Sequence, residues 1–228
     1  MANRTPDGTR LAAAGKRITD VLIAIPMLVV ALPVVVVSLV GSALFLRTYP
    51  LFAQRRVGRG GEQFSLLKVR TLPTHTPKYA AKHDIADVAT PTFTRWLRRM
   101  HLDELPQLLH VLTGRMTLVG PRPEMQLLHD QVPAEFAAMR TSVRPGCTGL
   151  WQISPQSGGL IHESPVYDEF YVRNRSMRLD LWVLYKTLTV TILGRPTVRL
   201  TDIPTWVLRH EPELDLEHSD YRVATSVD

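Results

Sequence analysis

One long apolar run dominates the pattern of hydrophobic and polar positions. Residues 21–46 form a stretch of 26 positions without a charge. As a straight helix, at about 1.5 Å per residue, such a stretch exceeds the ~30 Å hydrocarbon core of a bilayer. The run is too long for the apolar region of a signal peptide, and no small-residue cleavage site closes it. The pattern therefore predicts a membrane-embedded helix over residues 18–47, after a basic N-terminal segment at 1–17.

Two arrangements of this helix fit the sequence. Hydropathy alone favours an ordinary tilted span. The flanks favour re-entry, because basic residues stand on both sides and the positive-inside rule assigns both sides to the cytoplasm. Pro26 and Pro33 can kink the helix, so a helix that enters and leaves by one leaflet is our prediction, with the span left open. The basic flanking positions are Arg10, Lys16, Arg17, Arg47, Arg55, Arg56 and Arg59.

The pattern changes after the apolar run. Residues 51–72 combine a glycine-rich turn with partial alternation, which predicts a β-hairpin. Alternation places Lys68 and Arg70 on one face of its second strand, although a solvated basic hairpin would show the same pattern. Residues 92–100 predict a short helix. Leucines at helical spacing predict another from about residue 103, with Pro106 in its first turn.

The C-terminal part reads as mixed structure. Residues 181–193 form an apolar run with Trp182 and Tyr185, which suits either an interfacial helix or a core helix. The tail is acidic beyond Gly194. We therefore predict an α+β, mostly helical fold: the membrane helix, one cytoplasmic domain with interfacial helices over residues 48–193, and a peripheral tail over 194–228.

Composition narrows the partners. The chain of 228 residues has a formal net charge of +6 and a sequence pI near 9.8, which suits anionic lipid headgroups, phosphorylated substrates or nucleic acid. Cys147 is the only cysteine, so an internal disulfide and a thiolate-rich metal site are excluded. A nucleic-acid-binding module is disfavoured, because the chain has a long apolar segment and few suitably placed aromatic residues.

The candidate chemistry lies in residues 98–124. Asp103 and Glu104 are adjacent carboxylates that follow Arg98 and precede Arg122. Guanidinium groups match phosphate oxygens, and carboxylates hold Mg²⁺ or attack phosphorus. From local sequence alone, a helix-capping role for Asp103 is favoured over a functional one. Both interpretations place Asp103 at a helix start, where phosphate also binds.

Several motifs, in one order, resemble the bacterial sugar transferases, the monotopic polyprenyl-phosphate phosphoglycosyl transferases. The resemblance covers roughly residues 16–193, and its specificity comes from the ordered set of motifs. The matching segments are KRITD (16–20), QRRVG (54–58), FSLLKVRT (64–71), LDELPQL (102–108), LVGPRPE (118–124), RPGCTGLWQ (144–152) and residues 171–180.

The resemblance implies a function. Enzymes of this family transfer a sugar-1-phosphate from a UDP-sugar to a polyprenyl phosphate of the undecaprenyl type and release UMP. Asp103 would form a covalent aspartyl–phosphosugar intermediate, and Glu104 would help hold Mg²⁺. Lys68, Arg98 and Arg122 match the family's basic positions. Arg70 and Arg144 are further candidates for substrate binding, with a loop-stabilising role for Arg144 as the alternative.

The resemblance also implies a location and partners. Membrane lipids, a UDP-sugar and polyprenyl phosphate would meet the protein at the cytoplasmic face of the bacterial inner membrane, and downstream glycosyltransferases or a second copy are further possible partners. Leu32 replaces the family's usual serine before Pro33, and His110 stands where asparagine is frequent. A non-catalytic membrane tether whose basic face binds anionic lipid or a glycosyltransferase is the competing hypothesis. The intact set of Asp103, Glu104 and Arg122 favours the enzyme.

Overall fold

The computed structural model describes residues 6–77, 88–191 and 193–208. Its first helix, α1 (Pro6–Leu46), has 41 residues and runs through both Pro26 and Pro33. The section Ala13–Leu46 is long and apolar enough to cross a membrane by length and composition. The helix is longer than predicted, since much of the basic segment before residue 18 is helical too.

The remaining elements are short, and they follow α1 as a helical domain with two small sheets. This confirms the prediction of an α+β, mostly helical fold. In chain order they are β1 (Leu51–Val57), β2 (Gln63–Val69), α2 (Thr92–Arg99), a 3₁₀ segment (Leu102–Gln107), α3 (Leu108–Leu112), β3 (Thr117–Val119), α4 (Gln126–His129), α5 (Ala134–Thr141), β4 (Gly146–Thr148), α6 (Leu150–Ile153), α7 (Val166–Asn174) and α8 (Met177–Thr191).

One face of α1 is buried along most of its apolar length. Asp20, Ala24, Ala31, Ser38 and Ser42 are all less than 9% exposed. Their spacing of four or seven residues places them on one side of a helix. This side packs on α2, α3 and the 3₁₀ segment, whereas large apolar residues cover the opposite side. The rest of the domain therefore lies along α1 rather than at one end of it.

A polar clamp fixes the first part of α1. Lys16 Nζ lies 2.7 Å from Asp180 Oδ2 and 3.5 Å from Asp20 Oδ1. The Tyr171 hydroxyl donates to Asp180 Oδ1 at 2.8 Å, and the Thr117 hydroxyl donates to Asp20. These four residues around Lys16 bring the motif at 16–20 into contact with the motif at 171–180. Their sequence separation explains why neither motif predicts the other.

The other end of α1 also contacts the domain. The Ser42 hydroxyl donates to the backbone carbonyl of Arg70. Phe45 stacks on Phe93 of α2, with ring centroids 5.2 Å apart. Gly41 lies against the same ring, and a Cβ at this position would come within 2.2 Å of it. Any larger residue at position 41 would require the Phe93 ring to move.

The two sheets place the loops that form the site. β1 and β2 pair antiparallel from Leu51↔Val69 to Val57↔Gln63, which confirms the predicted hairpin. β3 and β4 pair in parallel, so the motif at 118–124 lies beside the motif at 144–152. At their junction a Cβ on Gly146 would come within 2.2 Å of Gly120 N. The two backbones can approach this closely because residue 146 lacks a side chain.

The sequence is compatible with either an interfacial or a core position for α8, and the structure shows features of both. Trp182 and Val183 are buried. Leu181, Tyr185 and Leu188 are 49%, 58% and 53% exposed, and they lie at positions i, i+4 and i+7, on one face of the helix. The helix therefore supplies core contacts on one side and an exposed apolar stripe on the other.

The tail differs from its prediction. Val198, Ile203 and Val207 are at most 6% exposed and belong to the hydrophobic core. Val198 N also donates to the carbonyl of Ile153 at 2.9 Å. Residues 194–208 are thus an integral part of the domain and not peripheral. The sequence did not indicate this, because the three apolar residues are distributed among polar ones without a helical or strand period. The acidic part of the tail, beyond residue 208, lies outside the described residues.

Candidate active site

A cleft of about 540 Å³ opens between the hairpin, the 3₁₀ segment, the loop after β3 and the segment 151–161. Its size is within the range typical of small-molecule sites. Six of the seven side chains singled out from the sequence line it. They are Lys68, Arg70, Arg98, Asp103, Glu104 and Arg122.

A sharp turn places the carboxylate pair in the cleft. His101, between α2 and the 3₁₀ segment, has a left-handed backbone with φ of 55°. Histidine tolerates this conformation better than most residues. The turn allows Arg98, at the end of α2, and Asp103, just after it, to line the same cleft.

The predicted cap at Asp103 is wrong. The segment Leu102–Gln107 is a 3₁₀ helix, its N-cap is His101, and it has no side-chain capping bond. Pro106 lies inside the 3₁₀ segment rather than in the first turn of an α-helix. Propensity rules for α-helical caps therefore did not apply at this position. With capping removed, local structure no longer accounts for Asp103.

Glu104 is held by two cations. Its Oε1 accepts from Lys68 Nζ at 2.7 Å and from Arg122 Nη2 at 2.8 Å, and Oε2 is 3.4 Å from Arg122 Nη1. Burial alone would raise the pKa of Glu104, but the charges and hydrogen bonds of Arg122 and Lys68 hold it well below its usual range. Glu104 is therefore ionised at neutral pH, and it fixes both cations at the floor of the cleft.

Asp103 is different from its neighbour. It is 9% exposed and accepts no hydrogen bond within the described part of the chain. Burial, followed by the negative charge of Glu104, raises the pKa of Asp103 to about 6, although Lys68, Arg98 and Arg122 oppose the shift. A carboxylate that is desolvated, unpaired and still ionised near neutral pH is a suitable nucleophile.

Lys68 and Arg70 also contribute cations to the cleft. Burial lowers the pKa of Lys68, and Arg122 and Arg56 contribute while Glu104 and Asp103 oppose them. Arg70, directly after β2, is held by β1 and the residues before it, since its Nε donates to Tyr49 O at 2.9 Å and its guanidinium lies over Phe52 of β1. The predicted common face of Lys68 and Arg70 is consistent with the cleft, which both residues line.

The structure does not bring Arg144 to the cleft. Its Nε donates to the carbonyl of Gly114 at 2.8 Å. Burial lowers the pKa of Arg144, with smaller contributions from Arg59 and Arg17. Arg144 stabilises the loop between α3 and β3, which corresponds to the loop-stabilising alternative of the sequence analysis.

Arg122 has a buried support that the sequence did not indicate. Arg140 of α5 donates through Nη2 to the carbonyl of Arg122 at 2.8 Å. Its Nη1 and Nε are 2.7 Å from Glu124 Oε2 and Asp168 Oδ2. All three side chains of this triad, Arg140, Glu124 and Asp168, are at most 4% exposed. The triad fixes the loop that carries Arg122.

Sequence reasoning also missed other residues of the cleft. Arg56 lines it and donates to Gln54 Oε1 at 2.6 Å. Both lie in the motif at 54–58, so the alternation of β1 was the available signal. Trp151 and Gln152 line the cleft from α6, and their motif gave no indication of this position.

The residues are compatible with a magnesium ion bound mainly by substrate. Groups of three or more histidine, cysteine or carboxylate side chains at metal-binding spacing do not occur in the described part of the chain. Mg²⁺, however, is usually held by one or two carboxylates together with phosphate oxygens. Oε2 of Glu104 has only the long contact to Arg122, and Asp103 is adjacent.

The family model of the bacterial sugar transferases matches residues 11–194. The chain therefore belongs to the bacterial sugar transferase family, and the predictions of the family and of a transferase enzyme are confirmed. The catalytic residues remain predictions, because family membership does not test them.

Individual relatives agree. The chain is 34% identical to the exopolysaccharide production protein ExoY of Sinorhizobium fredii over 205 residues, which cover 81% of this chain and 88% of that protein. It is 35% identical over 182 residues to the UDP-glucose:undecaprenyl-phosphate glucose-1-phosphate transferase of Caulobacter vibrioides, covering 76% of this chain and 68% of that protein. It spans only 36% of the UDP-N-acetylgalactosamine-undecaprenyl-phosphate N-acetylgalactosaminephosphotransferase of Aeromonas hydrophila, at 31% identity.

Proposed function

We propose that this protein transfers a sugar-1-phosphate from a UDP-sugar to an undecaprenyl-type polyprenyl phosphate. The observation that carries the proposal is the contrast between two adjacent carboxylates in one cleft. Glu104 is neutralised by Lys68 and Arg122, whereas Asp103 is unpaired. The names of the relatives, which include undecaprenyl-phosphate transferases acting on UDP-linked sugars, support the substrate class.

The reaction proceeds in two displacements. In the first, an Asp103 carboxylate oxygen attacks the phosphorus that bears the sugar. The bond between this phosphorus and the bridging oxygen breaks, and UMP leaves with the electron pair. In the second, a phosphate oxygen of the polyprenyl phosphate attacks the same phosphorus. The aspartyl–phosphorus bond breaks, Asp103 is regenerated, and a polyprenyl-diphosphate sugar is formed.

The charges around Asp103 suit this chemistry. A carboxylate attacking a diphosphate must overcome repulsion between negative charges, and fixed cations reduce that repulsion. Lys68 and Arg122 are already oriented by Glu104, so they need no reorganisation when charge develops. Arg98 adds a cation at the end of α2. Mg²⁺, when bound through Glu104 or Asp103 and the diphosphate, would supply further neutralisation of the phosphate oxygens.

The membrane helix accounts for access to a lipid acceptor. Trp96, which is 50% exposed, and Arg98, which lines the cleft, both lie on α2, and α2 packs on α1 through Phe93 and Phe45. Exposed tryptophan beside an apolar helix is typical of a membrane interface. The cleft therefore lies close to the membrane surface, where a polyprenyl phosphate headgroup resides.

The contacts at the two ends of the apolar run support a monotopic, re-entrant insertion from the cytoplasmic face of the inner membrane. The clamp at Lys16 and the contacts of Ser42 join both ends of the apolar run to one domain. A helix whose two ends contact the same domain need not expose either end on the far side. Single cysteines near residues 10 and 48, in a Cys147→Ser background, should both be labelled from the cytoplasmic side. If one of the two cysteines were labelled only from the periplasmic side, re-entry would be excluded.

The transfer is tested by UMP release from a panel of UDP-sugars with undecaprenyl phosphate and Mg²⁺. Asp103→Asn should abolish release, because an amide is not a nucleophile toward phosphorus, and wild type should accumulate an acid-stable or trapped phosphosugar adduct on Asp103 by mass spectrometry. The matched control is Asp130→Asn, since Asp130 is exposed. Full turnover by Asp103→Asn would refute the covalent mechanism.

A further inference from the structure

The cleft contains a second group of polar side chains that the transfer mechanism does not use. Thr76 Oγ1, Trp151 Nε1 and both amide atoms of Gln152 are buried and have no hydrogen-bond partner in the described part of the chain. All three residues line the cleft. Trp151 is only 6% exposed.

Unpartnered polar atoms of this kind are costly. A buried donor or acceptor without a partner loses the hydrogen bonds that it makes with water in the unfolded chain, which destabilises the fold, so folded proteins rarely keep such groups without a reason. Here four such atoms line one cleft. A ligand that completes their hydrogen bonds is a reason that the fold alone does not provide.

The chemistry of these atoms restricts the ligand. None of the three side chains is charged, and the Gln152 amide offers both a donor and an acceptor. An ionised phosphate has acceptor oxygens only, so it could not donate a hydrogen bond to the amide oxygen of Gln152. A polyprenyl chain offers neither donors nor acceptors. The Gln152 amide therefore requires a ligand group that carries a donor beside an acceptor.

We propose that Trp151 and Gln152 bind the uracil ring of the donor. This rests on the proposed function, which brings a UDP-sugar into the cleft. Uracil has a planar N–H flanked by carbonyls, and a planar amide can pair with such an edge through two parallel hydrogen bonds, as side-chain amides pair with base edges in nucleic acids. The indole N–H of Trp151, a donor only, suits a remaining carbonyl.

The fold supports this assignment because the two residues are held rigidly. They are consecutive in α6, which follows β4 through Gly149. A Cβ on Gly149 would come within 2.3 Å of Gly120 O and 2.9 Å of Gln152 Oε1, so α6 is packed tightly against the loop that leads to Arg122. A phosphate site at Arg122 and a base site at Gln152 therefore share one backbone junction.

The test measures binding of UMP to the full chain in nanodiscs by titration calorimetry, without turnover. Gln152→Met removes both amide groups at similar volume, and Trp151→Phe removes the N–H and keeps an aromatic ring. Each variant should raise the Kd of UMP roughly tenfold, the effect of one or two lost hydrogen bonds. The exposed residues Gln131 and Trp206 provide the matched controls Gln131→Met and Trp206→Phe, which should leave the Kd unchanged.

Ribose 5-phosphate, which lacks the base, separates the alternatives. Its affinity should be the same in wild type and in both variants. If UMP bound the variants as tightly as wild type while the KM for the UDP-sugar rose, the residues would contact the sugar and the uracil assignment would be overturned. UMP binding that depends on Gln152, without any UMP release from UDP-sugars, would instead refute the proposed transfer. If Gln152→Met failed to fold, Trp151→Phe would decide the question alone.

Discussion

The buried triad of Arg140, Glu124 and Asp168 allows a quantitative test of how the site is supported. Replacing Arg140 by methionine removes the cation and keeps most of the volume. Two carboxylates with side chains at most 4% exposed then lose their hydrogen-bonded partner. Breaking one buried ion pair costs about 3–5 kcal/mol. With two carboxylates affected, we expect a loss near the upper value, about 5 kcal/mol.

This loss should be visible in thermal unfolding. In a domain of this size a change of 1 kcal/mol in the free energy of unfolding shifts the Tm by roughly 2–4 °C. The Tm of Arg140→Met should therefore fall by about 10–20 °C. Burial already raises the pKa of Asp168, and Arg140 is the main group that opposes the shift. Without Arg140 the pKa of Asp168 rises further, so the destabilisation is fully present above that pKa and decreases as the pH falls through it.

A neutral triad separates stability from positioning. The triple variant Arg140→Met, Glu124→Met, Asp168→Leu replaces all three charged side chains by apolar ones of similar volume, and such replacements are often neutral or stabilising. Its Tm should return to within about 4 °C of wild type, whereas UMP release should stay low because the Arg122 carbonyl has lost its donor. Arg173→Met, at an exposed position of α7, is the control. A change of Tm below about 3 °C in Arg140→Met would refute the reasoning.

Two further predictions follow from the pKa shifts. With the pKa of Asp103 raised to about 6, kcat/KM for UMP release should rise with pH and level off above that value, because only the ionised carboxylate attacks phosphorus; a profile without an acidic limb would contradict this. Burial, aided by Glu104 and Asp20, raises the pKa of Cys147 to about 12 from 9.0, so the native thiol should react with iodoacetamide about a thousandfold more slowly than in the unfolded chain. Equal rates, followed by mass spectrometry, would contradict it.

Contiguous motifs explain why much of the site was predictable. The hairpin, α2 and the carboxylate pair each depend on residues in one short contiguous segment, the longest being the hairpin at Leu51–Val69. Lys68, Arg98 and Arg122 could be assigned before any contact was known, because they stand in motifs that resemble those of the family. The prediction of the family has the same basis, because it rests on the order of these motifs.

The remaining features depend on contacts between distant parts of the chain. Arg140 lies 28 positions from Asp168, and no local period marks the pair. Trp151 and Gln152 belong to the cleft only because β4 pairs with β3. The error at Asp103 has another cause: the left-handed backbone of His101 starts a 3₁₀ turn, whereas the leucine spacing predicted an α-helix. The tail was misjudged because its three core residues are isolated among polar ones.

The polar clamp has a consequence for biosynthesis. Lys16 and Asp180 are 164 positions apart, and at about 5–20 residues per second the ribosome needs roughly 8–30 s to make the second after the first. During this interval the apolar helix is already complete, while Lys16 still lacks Asp180 and has only its contact with Asp20. Final docking of the helix must therefore wait until α8 has emerged. The order of synthesis thus makes the apolar helix available early and the completed domain available only late.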